Sequence, residues 1–298
     1  MGRFFYPGAG MNKIAVVSGK GGTGKTFLTS ALTAIPKRQV IIDCDVDASN
    51  LYLLLDPENG NPREFYSGKT AEIDSDLCID CDECRVQCRY DAISTDYTID
   101  PFLCEGCSLC YHICPVNAIR MVSEKAGDFY QTETSLGPFI YANMTPGGEN
   151  SGKLVAKLKE VGKKIAKDIN AEYTLLDGPP GISCPLISTI AGCQAAVIVT
   201  EPTRSGLHDL GRVHDVVNKF NTKAGVVINK YDLSPEQTEE IEKYCTANEI
   251  PLLGKIPYST IIAETLSRGD MTFQNLNGSI KREVDGIWEQ LLYLLNSK

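Results

Sequence analysis

The run Gly19-Lys20-Gly21-Gly22-Thr23-Gly24-Lys25-Thr26 constrains this chain more than any other feature. It matches G-x-x-x-x-G-K-[ST], a motif that carries weight only between a strand and a helix. Both flanks read that way. Lys13–Ser18 (KIAVVS) is a short apolar run suited to a buried strand, and a helix is expected from about Lys25 to Ile35, stopped by Pro36. Glycines let the backbone wrap a phosphate without Cβ clashes. The loop amides and the helix N-terminus supply positive potential. Lys25 is expected to reach the β- and γ-phosphates of a nucleotide, and the Thr26 hydroxyl to bind Mg²⁺.

The rest of the chain alternates strand and helix. Gln39–Asp43 (QVIID) reads as a second strand with acidic residues at its carboxyl end. Further on come a helix at 153–169, a strand at 173–177, a short helix at 185–191 and a strand at 195–200. A helix at 207–220, a strand at 224–229, a helix at 235–248, a strand at 251–256 and a terminal helix at 279–295 follow. Such alternation predicts an α/β fold, a doubly wound and mostly parallel sheet covered on both faces. Ligands bind such sheets at the carboxyl ends of the strands, where the motifs fall. Between Pro57 and Ser123 the pattern breaks into a stretch rich in Cys, Asp, Gly and Pro. The expected organisation is a first part of a P-loop domain at 11–56, a small α+β insertion of ferredoxin type at 57–123, and the remainder of the P-loop domain at 124–298.

That insertion holds eight of the 12 cysteines. Cys78-x2-Cys81-x2-Cys84-x3-Cys88 is followed by Cys104-x2-Cys107-x2-Cys110-x3-Cys114-Pro115, the duplicated spacing of bacterial two-[4Fe–4S] ferredoxins. Three thiolates two residues apart wrap one face of a cubane, and the fourth reaches the other cluster. One cluster is therefore expected on Cys78, Cys81, Cys84 and Cys114, the other on Cys104, Cys107, Cys110 and Cys88. Two zinc sites would also use eight thiols, but this spacing is unusual for zinc. Disulfides fit a secreted mini-protein better than a chain of this size. Arg89 stands where the first repeat would carry proline. It is no ligand, so binding is expected to survive, and its charge is expected to raise that cluster's potential.

The loop GKGGTGKT, with its early lysine, resembles the deviant Walker A of the MinD/ParA/Mrp/nitrogenase-iron-protein superfamily. The resemblance runs over roughly residues 13–55 and 149–297. It implies that Lys20 contacts phosphate across a nucleotide-sandwich dimer and that ATP promotes dimerisation; taken alone, Lys20 reads equally well as a solvated loop lysine. Asp43-Cys44-Asp45-Val46-Asp47 resembles switch I, which implies that Asp45 orients the attacking water and that Asp43 lies near Mg²⁺. Tyr173–Gly181 (YTLLDGPPG) resembles Walker B with switch II, which implies that Asp177 holds Mg²⁺ through water and that the Gly178 amide region senses the γ-phosphate. Asp45 and Asp177 as mere strand-end caps are the alternative. Asn229 corresponds to the family's adenine-binding asparagine. The implied nucleotide contacts are Gly19 to Phe27 (Phe27 included) and Asn229, and the implied catalytic residues are Lys20, Lys25 and Asp45.

Gly137–Tyr141 (GPFIY) and 149–153 (ENSGK) resemble a MinD-like subgroup of P-loop ATPases with an inserted ferredoxin, which covers nearly the whole chain. Cys184, seven residues after Asp177, resembles one cluster ligand of the nitrogenase iron protein. Two readings stay open for it: a thiol bridging a cluster across a dimer, with Cys193 as a candidate helper, or a buried thiol beside Pro185. Cys44 and Cys245 read as small core residues, and His112, His208 and His214 show no metal spacing.

Net charge is −9 and the pI about 5.0, which argues against a nucleic-acid footprint. The densest basic run, Lys153–Lys167, reads as a solvated helix face. The longest apolar runs are strand length, far short of the roughly 20 residues of a spanning helix. No signal peptide is evident, so a cytoplasmic location is expected; Met1–Gly10 reads as a tag or upstream misread, with a natural start at Met11. Three functions compete. The first is an ATPase whose homodimer, or heterodimer with a paralogue, gates electron transfer to a redox client or metallocluster assembly on it. The second is a MinD- or ParA-like positioning ATPase, disfavoured because the terminal helix carries Glu283, Asp285 and Glu289 rather than a basic membrane-binding face. The third is an electron carrier with a vestigial nucleotide site.

Overall fold

The computed structural model describes residues 11–146, 150–260, 262 and 278–297. Met1–Gly10, whose origin the sequence leaves open, and Glu149 of the ENSGK segment lie outside them. The chain divides into two compact units. Unit 1 takes in the chain up to Pro62, Phe129–Asn143 and the chain from Ser151 on; unit 2 takes in Arg63–Asp128 and Met144–Asn150. The sequence places an insertion at 57–123. The compact unit starts later, where a strand opens at Arg63, and includes a second stretch that the sequence does not signal.

Unit 1 is built on strands β1 (Asn12–Ser18), β2 (Gln39–Asp43), β5 (Gly137–Met144), β6 (Tyr173–Pro180), β7 (Ala195–Thr200), β8 (Lys223–Asn229) and β9 (Leu252–Ile256). They lie in the order β5-β2-β6-β1-β7-β8-β9, every neighbouring pair parallel. The last residues of β4 (Ile119–Thr134) flank β5, to which a two-residue connection joins them. The strands are continuous apolar runs because they are buried on both faces; AAVIVT of β7 has no exposed residue. Strand order reverses around β1. The chain leaves β1 for β2 on one side and later reaches β7 on the other, so the crevice at the carboxyl end of β1 is where a ligand fits.

Alternate strand residues serve opposite layers. Ile14, Val16, Leu175, Val197 and Val227 pack with Phe27, Leu28 and Leu32 of α1 (Lys25–Thr33) and with Ile280, Val284, Ile287, Trp288 and Leu291 of the terminal helix (Gly278–Asn296). After three short helices, α2 (Tyr52–Leu55), α3 (Glu83–Val86) and α4 (Leu109–Ile113), the chain forms α5 (Ser151–Asp168) and α6 (Cys184–Ile190), which meet the other face. A Cβ on Gly162 of α5 would meet Ile42 Cδ1 at 2.5 Å, so the glycine lets the helix approach the sheet without moving that side chain. The basic surface of α5 is solvated except at Lys159, whose Nζ donates to the carbonyls of Ser188, Thr189 and Ala191 at 2.6–2.7 Å and caps the end of α6. Helices α7 (Arg204–Lys219) and α8 (Pro235–Ala247) open on Thr203 and Ser234, each accepting a main-chain N–H in its first turn. Among the described residues no helix is long and apolar enough to cross a membrane.

The strands absent from the sequence reading are β3 (Arg63–Ile73), β4 and β5. The first two are half-exposed ribbons whose polar residues mask the alternation that signals a strand. In β5, Phe139 is fully buried with Ile41, Leu51 and Leu55, and Tyr141 stacks on Tyr52, Tyr130 and Phe139 at centroid separations of 4.7–5.5 Å. Phe139→Ala should therefore lower the unfolding free energy by about 3–5 kcal/mol. Urea denaturation should show a lower midpoint with an unchanged slope; an unchanged midpoint would remove β5 from the core.

Candidate functional site

The glycine loop joins β1 to α1 as the sequence requires. Gly24 holds the position before the helix with φ 86°, and a Cβ there would sit 2.1 Å from Asn229 Nδ2, so the backbone path and the space both demand glycine. A Cβ on Gly19 would meet Asp209 Cβ at 2.4 Å, whereas Gly21 and Gly22 face open space. The Thr23 side-chain oxygen is buried without a hydrogen-bond partner. Phe27 turns its side chain into the core, so any nucleotide contact there falls to its main-chain amide. Thr26 Oγ1 lies 3.5 Å from Lys25 Nζ.

Behind the loop stands a buried charge cluster. Strand pairing sets Asp43 of β2 beside Asp177 of β6. Lys25 Nζ lies 3.2 Å from Asp177 Oδ1 and 3.8 Å from Asp45 Oδ2. Asp177 also accepts from Thr29 Oγ1 at 2.7 Å. Asp43 accepts from the Ser49 hydroxyl at 2.7 Å and from the amides of Asp45 and Leu51 at 3.0 and 3.2 Å, which fold the acidic segment back on the strand end. Burial, with Asp177 adding to it, pushes Asp43 up to about 7; burial pushes Asp45 up to about 6, against the pull of Lys25. Burial works to lower Lys25, but the carboxylates of Asp177, Asp45 and Asp43 outweigh it and hold the ammonium above the ordinary lysine value. Three carboxylates face one ammonium, an excess of negative charge that suits a divalent cation and its phosphates. Mg²⁺ commonly takes one or two protein ligands and completes its shell with water and phosphate. The orphaned Thr23 oxygen and the open side of Gly21 and Gly22 fit a phosphate.

Asn229 does not stand free. Its Nδ2 donates to Thr23 O at 2.8 Å and its Oδ1 accepts from Lys230 N at 3.0 Å, tying the loop to the end of β8. Thr29, Ser49 and Glu201 are site residues the sequence reading missed. Thr29 lies one helical turn after Lys25, a spacing that put it on the same face; nothing local marks the other two. Cys184 is exposed at the first residue of α6, against the reading of a buried thiol. Cys193 is buried, with its Sγ 3.1 Å from Thr189 O, as are Cys44 and Cys245.

Unit 2 is a repeat in three dimensions. Asp74 and Asp100 stand at the same place in the two halves. Their carbonyls accept from Cys78 N and Cys104 N at 3.0 and 3.1 Å, and their carboxylates from Asp76 N and Phe102 N at 3.0 and 2.8 Å. The halves are crossed: Asp74 N donates to Ala118 O and Asp100 N to Ala92 O, at 2.7 and 2.8 Å. Left-handed residues recur at matching positions, Asp80 with Gly106, Asp82 with Ser108, and Asp91 with Asn117. A Cβ at Gly106 would sit 2.1 Å from Lys69 O, which explains the glycine. Each half closes on a single helical turn, Glu83–Val86 and Leu109–Ile113. Cys78, Cys81, Cys84 and Cys114 line one hollow, and Cys88, Cys104, Cys107 and Cys110 line another, with Cys84 at its wall as well. Among the described residues no three His, Cys, Asp or Glu side chains converge to hold a single metal ion. A cubane spreads its thiolates over four irons around a hollow rather than at a point, and left-handed turns aim amides into such anion sites. The donor set and the hollows therefore fit two such groups.

Thr29→Val, which keeps the shape and removes the hydroxyl, should cost about 1–3 kcal/mol by underpairing the buried Asp177 carboxylate. Chemical denaturation of the nucleotide-free protein measures it.

Comparison with known proteins agrees with this architecture. The model of the CobQ/CobB/MinD/ParA nucleotide-binding domain matches residues 14–273. An uncharacterized protein of Methanocaldococcus jannaschii, MJ0578, is 38% identical over 221 residues, 73% of this chain and 78% of that protein. The Nubp1 homolog of Drosophila ananassae, named a cytosolic Fe-S cluster assembly factor, is 23% identical over 94% of this chain and 81% of its own length. A 53-residue stretch, 18% of this chain, is 45% identical to 65% of the pyruvate synthase subunit PorD of Methanothermobacter marburgensis. In fold, the chain resembles the septum site-determining protein MinD of Pyrococcus horikoshii, solved with Mg-ADP, with a TM-score of 0.58 at 19% identity over 96% of this chain and 98% of that one. The chain therefore belongs to the CobQ/CobB/MinD/ParA family of nucleotide-binding proteins and has the mostly parallel α/β fold of its P-loop members.

Proposed function

We propose that this protein is a Mg²⁺-dependent ATPase, slow and partner-stimulated, whose nucleotide-dependent dimer switch gates electron transfer through two [4Fe–4S] clusters to a client protein. One observation carries the reading: a phosphate loop backed by a buried excess of carboxylates shares a chain with eight cysteines grouped around two hollows. In this reading the loop from Gly19 to Phe27 cradles the phosphates, Lys25 neutralises their charge, and Thr26, Asp43 and Asp177 hold Mg²⁺. Asp45 orients the attacking water, and its side chain, 16% exposed, keeps contact with solvent. Asn229 sets the edge of the base site. Lys20 contacts the nucleotide of a second copy or a related chain.

Cys78, Cys81, Cys84 and Cys114 hold one cluster, and Cys88, Cys104, Cys107 and Cys110 the other. Each cluster, when bound, takes up and releases one electron. The crossed hydrogen bonds of the two halves support this exchange of the fourth cysteine, because each half ends against the other. Likeness to an Fe-S cluster assembly factor over most of the chain supports a second reading, in which the client receives a metallocluster rather than electrons. The exposed Cys184 is available to bridge two copies in either case.

Lys25→Ala should abolish ATP turnover while leaving the iron and sulfide content of anaerobically prepared protein unchanged. Cys107→Ser should do the reverse, removing about half of the iron and sparing the phosphate loop. Phosphate release and iron assays on the same samples decide it. Client reduction that proceeds equally well with Lys25→Ala would refute nucleotide gating.

A further inference from the structure

Lys20, the first lysine of the glycine loop, is held. Its Nζ lies 3.4 Å from Glu201 Oε2 and 3.5 Å from both Thr203 Oγ1 and Ser205 Oγ. The other carboxylate oxygen of Glu201 takes Lys230 Nζ at 2.5 Å. Glu201 is 15% exposed and each lysine 31%. One sheltered carboxylate thus joins three segments around the nucleotide crevice: the glycine loop, the connection from β7 to α7, and the end of β8, where Asn229 is already tied to Thr23. A carboxylate shared by two ammonium groups binds each less tightly than it would bind one alone. A phosphate that recruits Lys20 has to displace Glu201, and Lys230 stays behind to neutralise the carboxylate it leaves.

We propose that Glu201 is a positioning residue that withholds Lys20 in the nucleotide-free chain, with Lys230 setting the strength of the hold by competing for the same carboxylate. This rests on the reading above, in which Lys20 serves the nucleotide between two copies. The arrangement makes self-association conditional: without nucleotide, Lys20 is neutralised within its own chain, and only a more strongly charged anion draws it away.

The two partners of Glu201 predict opposite effects. Glu201→Gln keeps the side-chain size but removes the charge that holds Lys20. The protein concentration for half-association with Mg²⁺ and a non-hydrolysable ATP analogue should fall about fivefold, the size expected of a partly exposed ion pair. Lys230→Ala leaves Glu201 to Lys20 alone and should raise that concentration. In a Lys20→Ala background neither substitution should shift it. Sedimentation velocity on the full chain reads all three, with circular dichroism confirming the fold. No shift with Glu201→Gln, or the same shift without Lys20, overturns the proposal. Nucleotide binding measured on the same samples separates the two ideas: its absence in the unsubstituted chain removes the ATPase reading, whereas intact binding with no effect of Glu201→Gln removes only the hold on Lys20.

Discussion

The nucleotide site depends on charges that the fold has taken out of water. Asp43 and Asp177 pair across neighbouring parallel strands, so the sheet itself brings two carboxylates together, and Lys25, at the start of the facing helix, pairs with Asp177 and Asp45. Burying like charges side by side is unfavourable unless a cation and hydrogen bonds compensate. Lys25, Thr29, Ser49 and the amides of Asp45 and Leu51 supply part of the compensation. What remains is an excess of negative charge over one ammonium, while burial, joined by Asp177 at Asp43 and opposed by Lys25 at Asp45, raises both carboxyls. Under the proposed function a divalent cation with its phosphates completes the site.

The same logic explains why the acidic segment after β2 has two tethers. Asp43 holds it through Ser49 and Leu51, and a few residues on Tyr52 enters the stack with Tyr141. A carboxylate drawn toward a cation would loosen the first tether while the aromatic stack keeps the second. Lys20 repeats the pattern on the other rim, where Glu201 holds it. Both rims of the crevice thus rest on carboxylates that a bound nucleotide would disturb.

Unit 2 follows a different physics. Its apolar core is small, with Ala71, Cys84, Ile93 and Ile119 buried and several half-buried cysteines packed around them. Large apolar side chains such as Val86 and Phe102 remain exposed. So small a core is weak support for independent stability. The crossed main-chain bonds and the paired left-handed turns give the loops their shape, and thiol-bound groups in the two hollows would add the cohesion the core lacks.

The phosphate loop, the alternation of strand and helix and the duplicated cysteine spacing were legible in the sequence because each is a local pattern: glycine tolerance, the periods of buried helices and strands, and the reach of thiols in a tight loop. β2 and β7 were bounded to the residue for the same reason, being apolar runs closed by charged or turn residues. β3, β4 and β5, the cap that Lys159 places on α6, and the ties of Glu201 to Lys20 and Lys230 were not legible. Polar residues mask the alternation in β3 and β4, whereas the Lys159 cap and the Glu201 ties join residues far apart in the chain, and such pairings follow from which strands neighbour which. The residue types of the site were therefore written in the sequence. Which carboxylate holds which lysine was decided only by the tertiary structure, because ion pairs and strand edges depend on distance in space, and no local pattern encodes that.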